Sequence, residues 1–419
     1  MIREDFIAWV MRRKTKECFA FENSGTLEPP PAPDKPIHLY IHIPFCAELC
    51  PYCSFHRVQF SESQAREYFH ALKKELRMYH ERGYAFSGVY IGGGTPTILP
   101  EELLGLIDNL QKDFSPHEIS VETNPDRLDV HLLKMLADAG VKRVSVGIQT
   151  FSDRILKSVG RYDKYGSGTV LKQKLMEAKG FVNTLNADMI YNFPIQTAEM
   201  LEQDLDILTD VGPDQITFYP LMVSDITRGR MKSLMGNVTH RTEKLFFHQI
   251  LSRLEEAYQP GSAWCFSKRG TSMIDEYIVM NDEYVGAGSG AFGLVGGGIY
   301  ANTFSLQAYG RLIDQGKFPL FARKLFSVRE LAGYAFLMGL FGLSLDLESF
   351  RRRFGAPLWR LIGPETLFFL LAGGVRIEGG KLRLTRRGRY YWVVMMREFF
   401  TGVDDFRDLS REAAGIQKL

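Results

Sequence analysis

Cys46, Cys50 and Cys53 are separated by three and then two residues, giving C-x3-C-x2-C directly after an apolar run. Thiolates this close on a loop can converge on one metal centre. A structural zinc site normally takes four protein ligands. The other two cysteines, Cys18 and Cys265, are far away in sequence, so a fourth ligand would have to be His42 or His56. The rival is a four-iron cluster. Four thiolates close such a cluster for electron transfer. Three leave one iron free to take an exchangeable ligand, as an open position does in catalytic metal sites. Spacing alone leaves both readings standing, beside the plainer one of three unrelated buried cysteines.

Other polar residues recur at comparable places. Gly92-Gly-Gly-Thr95-Pro-Thr97 ends an apolar run, where glycines either make a tight turn or let backbone approach a ligand closely. Glu122 and Gln149 each end a similar run, and Asp188 lies within another. Taken singly, each suits a cap or a loop residue. Gly286 to Gly293 looks like a nucleotide fingerprint but follows no clear βαβ unit, so a dinucleotide site is not expected. Arg351 to Arg353 and Arg386-Arg387 read as solvated helix faces, with contact to anionic substrate groups as the sharper alternative.

The elements that must hold these residues alternate. Strands are predicted at 38–43, 88–91, 118–122, 143–149, 186–191 and 215–219. Helices are predicted at 64–82, 101–112, 129–140, 169–180 and 197–211. Such alternation implies a parallel sheet with right-handed crossovers: an α/β barrel, a partial barrel or an open sheet. Glu122, Gln149 and Asp188 then fall at or near the carboxyl ends of strands, where α/β barrels collect their active sites.

The chain has 419 residues, 45% hydrophobic and 24% charged, which suits two or three globular domains. Residues 1–36 read as an extension, with a short amphipathic helix and then the proline-rich linker 28–36. Residues 37–260 form the core. Residues 261–419 form a mainly helical accessory domain over the substrate, with 261–310 glycine-rich and irregular. A β-hairpin at 373–384 before a helix at 387–400 gives that domain a winged-helix-like character, and the residues after about Gly402 read as a loose tail. The net charge of +2 gives no argument for nucleic acid. No secretory signal and no long apolar span is visible. A reducing, cytoplasmic setting is the default, in which clustered cysteines read as metal or redox ligands.

Tyr40-Ile-His-Ile-Pro-Phe-Cys46 through Phe55 resembles the cluster loop of radical S-adenosylmethionine (SAM) enzymes. The nearest resemblance is to the oxygen-independent coproporphyrinogen III oxidase family, with its haem-chaperone and C-methylating relatives, over roughly residues 36–350. It implies a partial (β/α)6 barrel and a 4Fe-4S cluster on Cys46, Cys50 and Cys53. It also implies SAM bound at the open iron and cleaved by an electron to give a 5′-deoxyadenosyl radical. Matching positions make Tyr40, Gly93, Gly94, Thr95, Glu122, Gln149, Arg161 and Asp188 the expected SAM contacts. Glu122 and Tyr40 are the catalytic candidates. Arg161 suits the SAM carboxylate because a guanidinium binds carboxylates in bidentate fashion. Tyr52 matches a second aromatic flanking the cluster. An electron donor such as flavodoxin or ferredoxin is implied.

The chain departs from the best-known members. The N-terminal Pro-Arg-Tyr-Thr-type segment of the decarboxylating oxidases is not found. Met273 to Ile278 lacks the His and Trp expected of haem chaperones, and Tyr219-Pro-Leu-Met222 differs from the oxidases. The leading expectation is therefore C-methylation or other C–C bond formation on a tetrapyrrole or another apolar substrate, with one SAM or two. Anaerobic decarboxylation of coproporphyrinogen III and a haem-binding chaperone are the alternatives.

Overall fold

The apolar runs become six neighbouring parallel strands: β1 (Ile37–Ile43), β2 (Phe86–Gly93), β3 (Glu118–Thr123), β4 (Arg143–Gln149), β5 (Thr184–Tyr191) and β6 (Gln215–Pro220). Ile41, Ile91, Val121, Val146 and Ala187 are fully buried, as expected of strands covered on both faces. The computed structural model describes residues 2–21, 27–270 and 283–415. The helices Glu62–Glu81, Pro100–Asp113, Val130–Asp138, Gly168–Glu177 and Ala198–Val211 are the crossovers. Each boundary lies within a few residues of the sequence reading.

Register sets up the site. Tyr40 stands opposite Tyr90 and His42 opposite Gly92. Glu122 stands opposite Ser145 on β4, and Gly147 opposite Asp188 on β5. The polar residues of different strands are thereby brought to one end of the sheet. A bulge between Gly147 and Gln149 turns the end of β4, and Gln149 takes a left-handed φ of 75°. For a non-glycine residue that conformation costs on the order of 1–3 kcal/mol and is found most often at functional sites.

Within the region expected to be irregular, 261–310, the described residues 261–270 and 283–310 instead carry strands that extend the sheet. After β7 (Tyr258–Pro260) and β8 (Cys265–Lys268) on one edge come β9 (Tyr284–Ala287), β10 (Phe292–Val295), β11 (Gly298–Asn302) and β12 (Leu320–Leu325) on the other. The order is β12-β11-β10-β9-β1-β2-β3-β4-β5-β6-β8-β7. β9 runs parallel to β1, whereas β10, β11 and β12 join antiparallel. Hydrogen-bonded strands thus run across residue 260. Short glycine-bearing strands give little local signal, and pairing to a finished sheet overrides their weak propensity.

Residues 344–384 form a three-stranded sheet, Ser344–Asp346 with the hairpin Val375–Glu378 and Lys381–Leu384. This is the small hairpin unit expected from sequence.

One helix runs from Arg386 to Ala413, about 42 Å at 1.5 Å per residue. Its second half is not a tail: Thr401, Val403, Asp404, Asp408 and Arg411 are buried. Trp392 Nε1 donates to the Leu337 carbonyl at 2.8 Å. Arg397 bonds Glu243 and, at 2.8 Å, Glu398. The N-terminal helix Ile2–Cys18 packs along it. Gly402, where the expected tail begins, lies against the N-terminal helix: a Cβ there would lie 2.2 Å from the Thr15 methyl.

Candidate active site

The loop after β1 carries the three cysteines. It is tied at its base by a short parallel pairing of Phe45–Cys46 with Val58–Gln59. Arg57 clamps it from inside, with Nη2 donating to the carbonyls of Cys50 and Cys53 at 2.7 Å each. Lys164 Nζ donates to the Glu48 carbonyl at 2.8 Å. The loop is held by these charge-assisted bonds to its backbone, which leaves the thiols facing one pocket lined by Cys46, Cys50 and Cys53. Burial pushes the bare Cys46 thiol up to about 11, so loading a metal group there must release its proton.

The sheet closes the other side of that pocket. Gly93, Gly94, Glu122, Gln149, Arg161 and Asp188 all line it. Gly93 takes φ 118°, a conformation open to glycine. Its N–H donates to Glu122 Oε2 at 2.9 Å, and Tyr90 donates to Oε1 at 2.7 Å. The glycine turn also bonds the cluster loop: Gly94 N–H meets the Ile43 carbonyl at 2.7 Å and Thr95 N–H the Phe45 carbonyl at 2.8 Å. Asp188 accepts from Ser145 at 2.6 Å and Asn186 at 2.8 Å. Arg161 is buried. It donates to the Tyr52 hydroxyl at 3.3 Å, to Cys50 Sγ at 3.8 Å and to the Gly147 carbonyl.

Two expected contacts sit elsewhere. Thr95 does not line the pocket; its hydroxyl lies 3.8 Å from Cys46 Sγ and accepts from Asn124 at 2.8 Å. Tyr40 is also behind the wall: its hydroxyl bonds His42 Nδ1 at 2.8 Å and its ring stacks on Tyr90. His42 Nε2 bonds the His56 carbonyl at 2.7 Å. Both nitrogens of His42 are thus engaged, which removes it as a fourth zinc ligand. Among the described residues no group of three or more His, Cys, Asp or Glu side chains is placed to hold a single metal ion.

The sequence reading missed part of the lining. Asn124, Tyr165, Arg57 and, from the C-terminal helix, Phe400, Asp404 and Arg407 all face the pocket. Asn124 follows Glu122 closely and could have been taken with it. The C-terminal three carry no local signal. The Met273 to Ile278 stretch, read as departing from haem chaperones, lies outside the described residues.

Residues 40–208 match the Radical SAM superfamily, and residues 334–391 match the HemN C-terminal domain. The heme chaperone HemW of Bacillus subtilis (strain 168) is 31% identical over 295 residues, covering 67% of this chain and 76% of that protein. The chain belongs to the radical SAM superfamily, in the oxygen-independent coproporphyrinogen III oxidase-like family. Within that family, an oxygen-independent coproporphyrinogen III oxidase of Cereibacter sphaeroides (strain ATCC 17025 / ATH 2.4.3) is 27% identical over 349 residues, covering 77% of this chain and 76% of that one. The solved structure of coproporphyrinogen III oxidase (HemN) from Escherichia coli superimposes with a TM-score of 0.73 at 21% identity. It covers 88% of this chain and 91% of that chain, and the partial barrel with its helical C-terminal region is the shared fold.

Radical SAM membership implies a 4Fe-4S cluster and SAM, and the donor set fits. Three thiols share one pocket, and among the described residues no set of side chains converges on a single ion. A four-iron cluster takes its thiolates on different irons and needs no such convergence. No helix among the described residues is long and apolar enough to cross a membrane.

Proposed function

We propose that this radical SAM protein holds its cluster on Cys46, Cys50 and Cys53, cleaves SAM and acts on a tetrapyrrole. The observation that carries this reading is the single pocket shared by the three thiols, Arg161, Glu122, Gln149 and Asp188 at the carboxyl ends of parallel strands. When bound, the cluster and SAM supply a radical that abstracts hydrogen. The chain's own residues divide the remaining work. The backbone and Glu122 at the glycine turn hold the methionyl end of SAM, and Arg161 takes its carboxylate. Gln149 and Asp188 hold the rest of the cofactor. Tyr40 acts through His42 and Tyr90, as a positioning residue. A one-electron donor such as flavodoxin or ferredoxin and a reducing compartment, the cytoplasm, complete this reading.

C–C bond formation rests on the sequence departures alone, and the relatives named above give it no support. Those relatives are a haem chaperone and coproporphyrinogen oxidases, so hydrogen abstraction from a tetrapyrrole is where the reading stops. Methylation takes one SAM as radical source and another as carbon donor, while loss of two carboxyl groups takes one SAM cleavage per carboxyl. The test is the mass of the products after anaerobic turnover of coproporphyrinogen III with methyl-labelled SAM. Loss of two carboxyl groups marks decarboxylation, and gain of labelled carbon marks methylation. Haem held one-to-one and passed on without substrate consumption marks a chaperone. Failure to bind or change any tetrapyrrole would overturn the reading.

A further inference from the structure

Phe400, Asp404 and Arg407 lie about one turn apart on the C-terminal helix and line the same pocket as the cluster loop. They lie beyond residue 391, where the match to the HemN C-terminal domain ends, and outside the 40–208 match. This wall of the pocket is therefore supplied by a segment that neither family match covers.

Arg407 is built into that wall. Its guanidinium carbon lies 4.8 Å from the Phe55 ring centroid and 5.6 Å from that of Phe292, so two rings from separate elements fix its plane. Nη1 donates to Asp404 at 2.9 Å, while Nε is buried with no acceptor. The side chain is 11% exposed. A buried guanidinium N–H without an acceptor is costly, and a ligand oxygen would relieve it. The other cations lining the pocket bond the cluster loop and β4: Arg57 and Lys164 reach carbonyls of the loop, and Arg161 reaches Cys50, Tyr52 and the Gly147 carbonyl, with Arg57 Nη1 and Arg161 Nε likewise buried without an acceptor. Asp404 does not fully neutralise Arg407 near neutral pH, since burial pushes its carboxyl up to about 7 against the pull of that guanidinium. Phe55 and Phe292 flank this cation, and Phe400, Leu221 and Met222 add apolar lining to the same pocket.

We infer that Arg407 binds a carboxylate of the substrate and thereby selects carboxylated tetrapyrroles over neutral ones. A planar cation pinned by two rings, with greasy surface beside it, matches a large apolar body carrying an acidic arm. The inference rests on the tetrapyrrole reading above and adds the group that recognises the arm.

The test is fluorescence titration of the anaerobically purified, cluster-loaded protein with a porphyrin tetracarboxylate and with its uncharged tetra-amide. Wild type should bind the acid about tenfold or more tighter than the amide, the scale of one charge-assisted hydrogen bond. Arg407→Gln should bring the acid down to the affinity of the amide and leave the amide unchanged. Arg351→Gln, at an arginine whose side chain is 65% exposed, should keep the wild-type preference. If R407Q folds poorly, Arg407→Lys, which keeps the charge but loses the planar fork, should still narrow the preference. Retention of the full preference in the Arg407 variants overturns the inference while the tetrapyrrole reading stands. Failure of wild type to bind either porphyrin overturns both.

Discussion

Arg161 donates to Cys50 Sγ at 3.8 Å and to the Tyr52 hydroxyl at 3.3 Å. The segment after the short helix Asp153–Ser158 that follows β4 is thereby joined to the cluster loop that follows β1. The same guanidinium bonds the Gly147 carbonyl beside the bulge, and its Nε is buried without a partner. A fixed cation at the edge of the thiol triad suits the proposed binding of an amino-acid carboxylate.

Arg161→Lys tests that role. Lysine keeps the charge and gives up the fork that binds a carboxylate through two parallel bonds. SAM affinity should fall about tenfold or more, with iron content close to wild type. The SAM-induced change in the EPR spectrum of the reduced cluster reads the affinity directly. An unchanged affinity would remove Arg161 from the SAM site.

The contact of Gly402 with Thr15 makes a second prediction, about stability. Alanine is favoured over glycine in a helix by about 1 kcal/mol. At position 402, however, its Cβ would lie 2.2 Å from the Thr15 methyl. Gly402→Ala should therefore destabilise by about 1–3 kcal/mol, the usual range for overpacking. Thr15→Ser removes the clashing methyl, so the double variant should recover most of the loss. Denaturant melts of the four proteins in the cycle measure this coupling; additive effects would mean the helices do not meet there.

Much of the barrel could be read from the sequence because its signals are local. The run of β-branched residues in Arg143-Val-Ser-Val-Gly-Ile-Gln149 marks a strand in any context, and the cysteine spacing marks a metal loop. What escaped the reading depends on distant partners. Gly402 marks the start of an expected tail until Thr15 is placed beside it. Arg407 resembles a surface arginine until Phe55 and Phe292 enclose it. Tyr40 matched an expected contact by position, yet its hydroxyl is taken up by His42. The glycine-bearing strands β9 to β11 needed the barrel edge before they could pair.

Glu75 gives a pH prediction. It is fully buried between the crossover helix Glu62–Glu81 and the loop after β9, accepting from Tyr309 at 2.6 Å, Gly288 N–H at 2.8 Å and Asn302 at 3.1 Å. Burial outweighs these bonds and pushes its carboxyl from 4.5 up to about 7. The folded state then holds this proton at pH values where the unfolded state has lost it. Stability from this group is full below pH 4.5 and falls as pH rises to about 7, by up to about 3 kcal/mol. Glu75→Gln should flatten that part of the profile while lowering stability at acidic pH, since an amide cannot accept from all three donors. Urea melts across this range check it; an identical slope in the variant would contradict it.

The central claim is that Cys46, Cys50 and Cys53 hold a cluster that cleaves SAM. Its most direct test is 5′-deoxyadenosine formation from SAM and dithionite under anaerobic conditions, in wild type and in three single Cys→Ala variants. The account predicts formation by wild type protein containing iron and sulfide in about equal amounts, and loss of both product and cluster in each variant. Wild-type protein that carries zinc in place of iron, or that forms 5′-deoxyadenosine undiminished without any one of the three thiols, would contradict it.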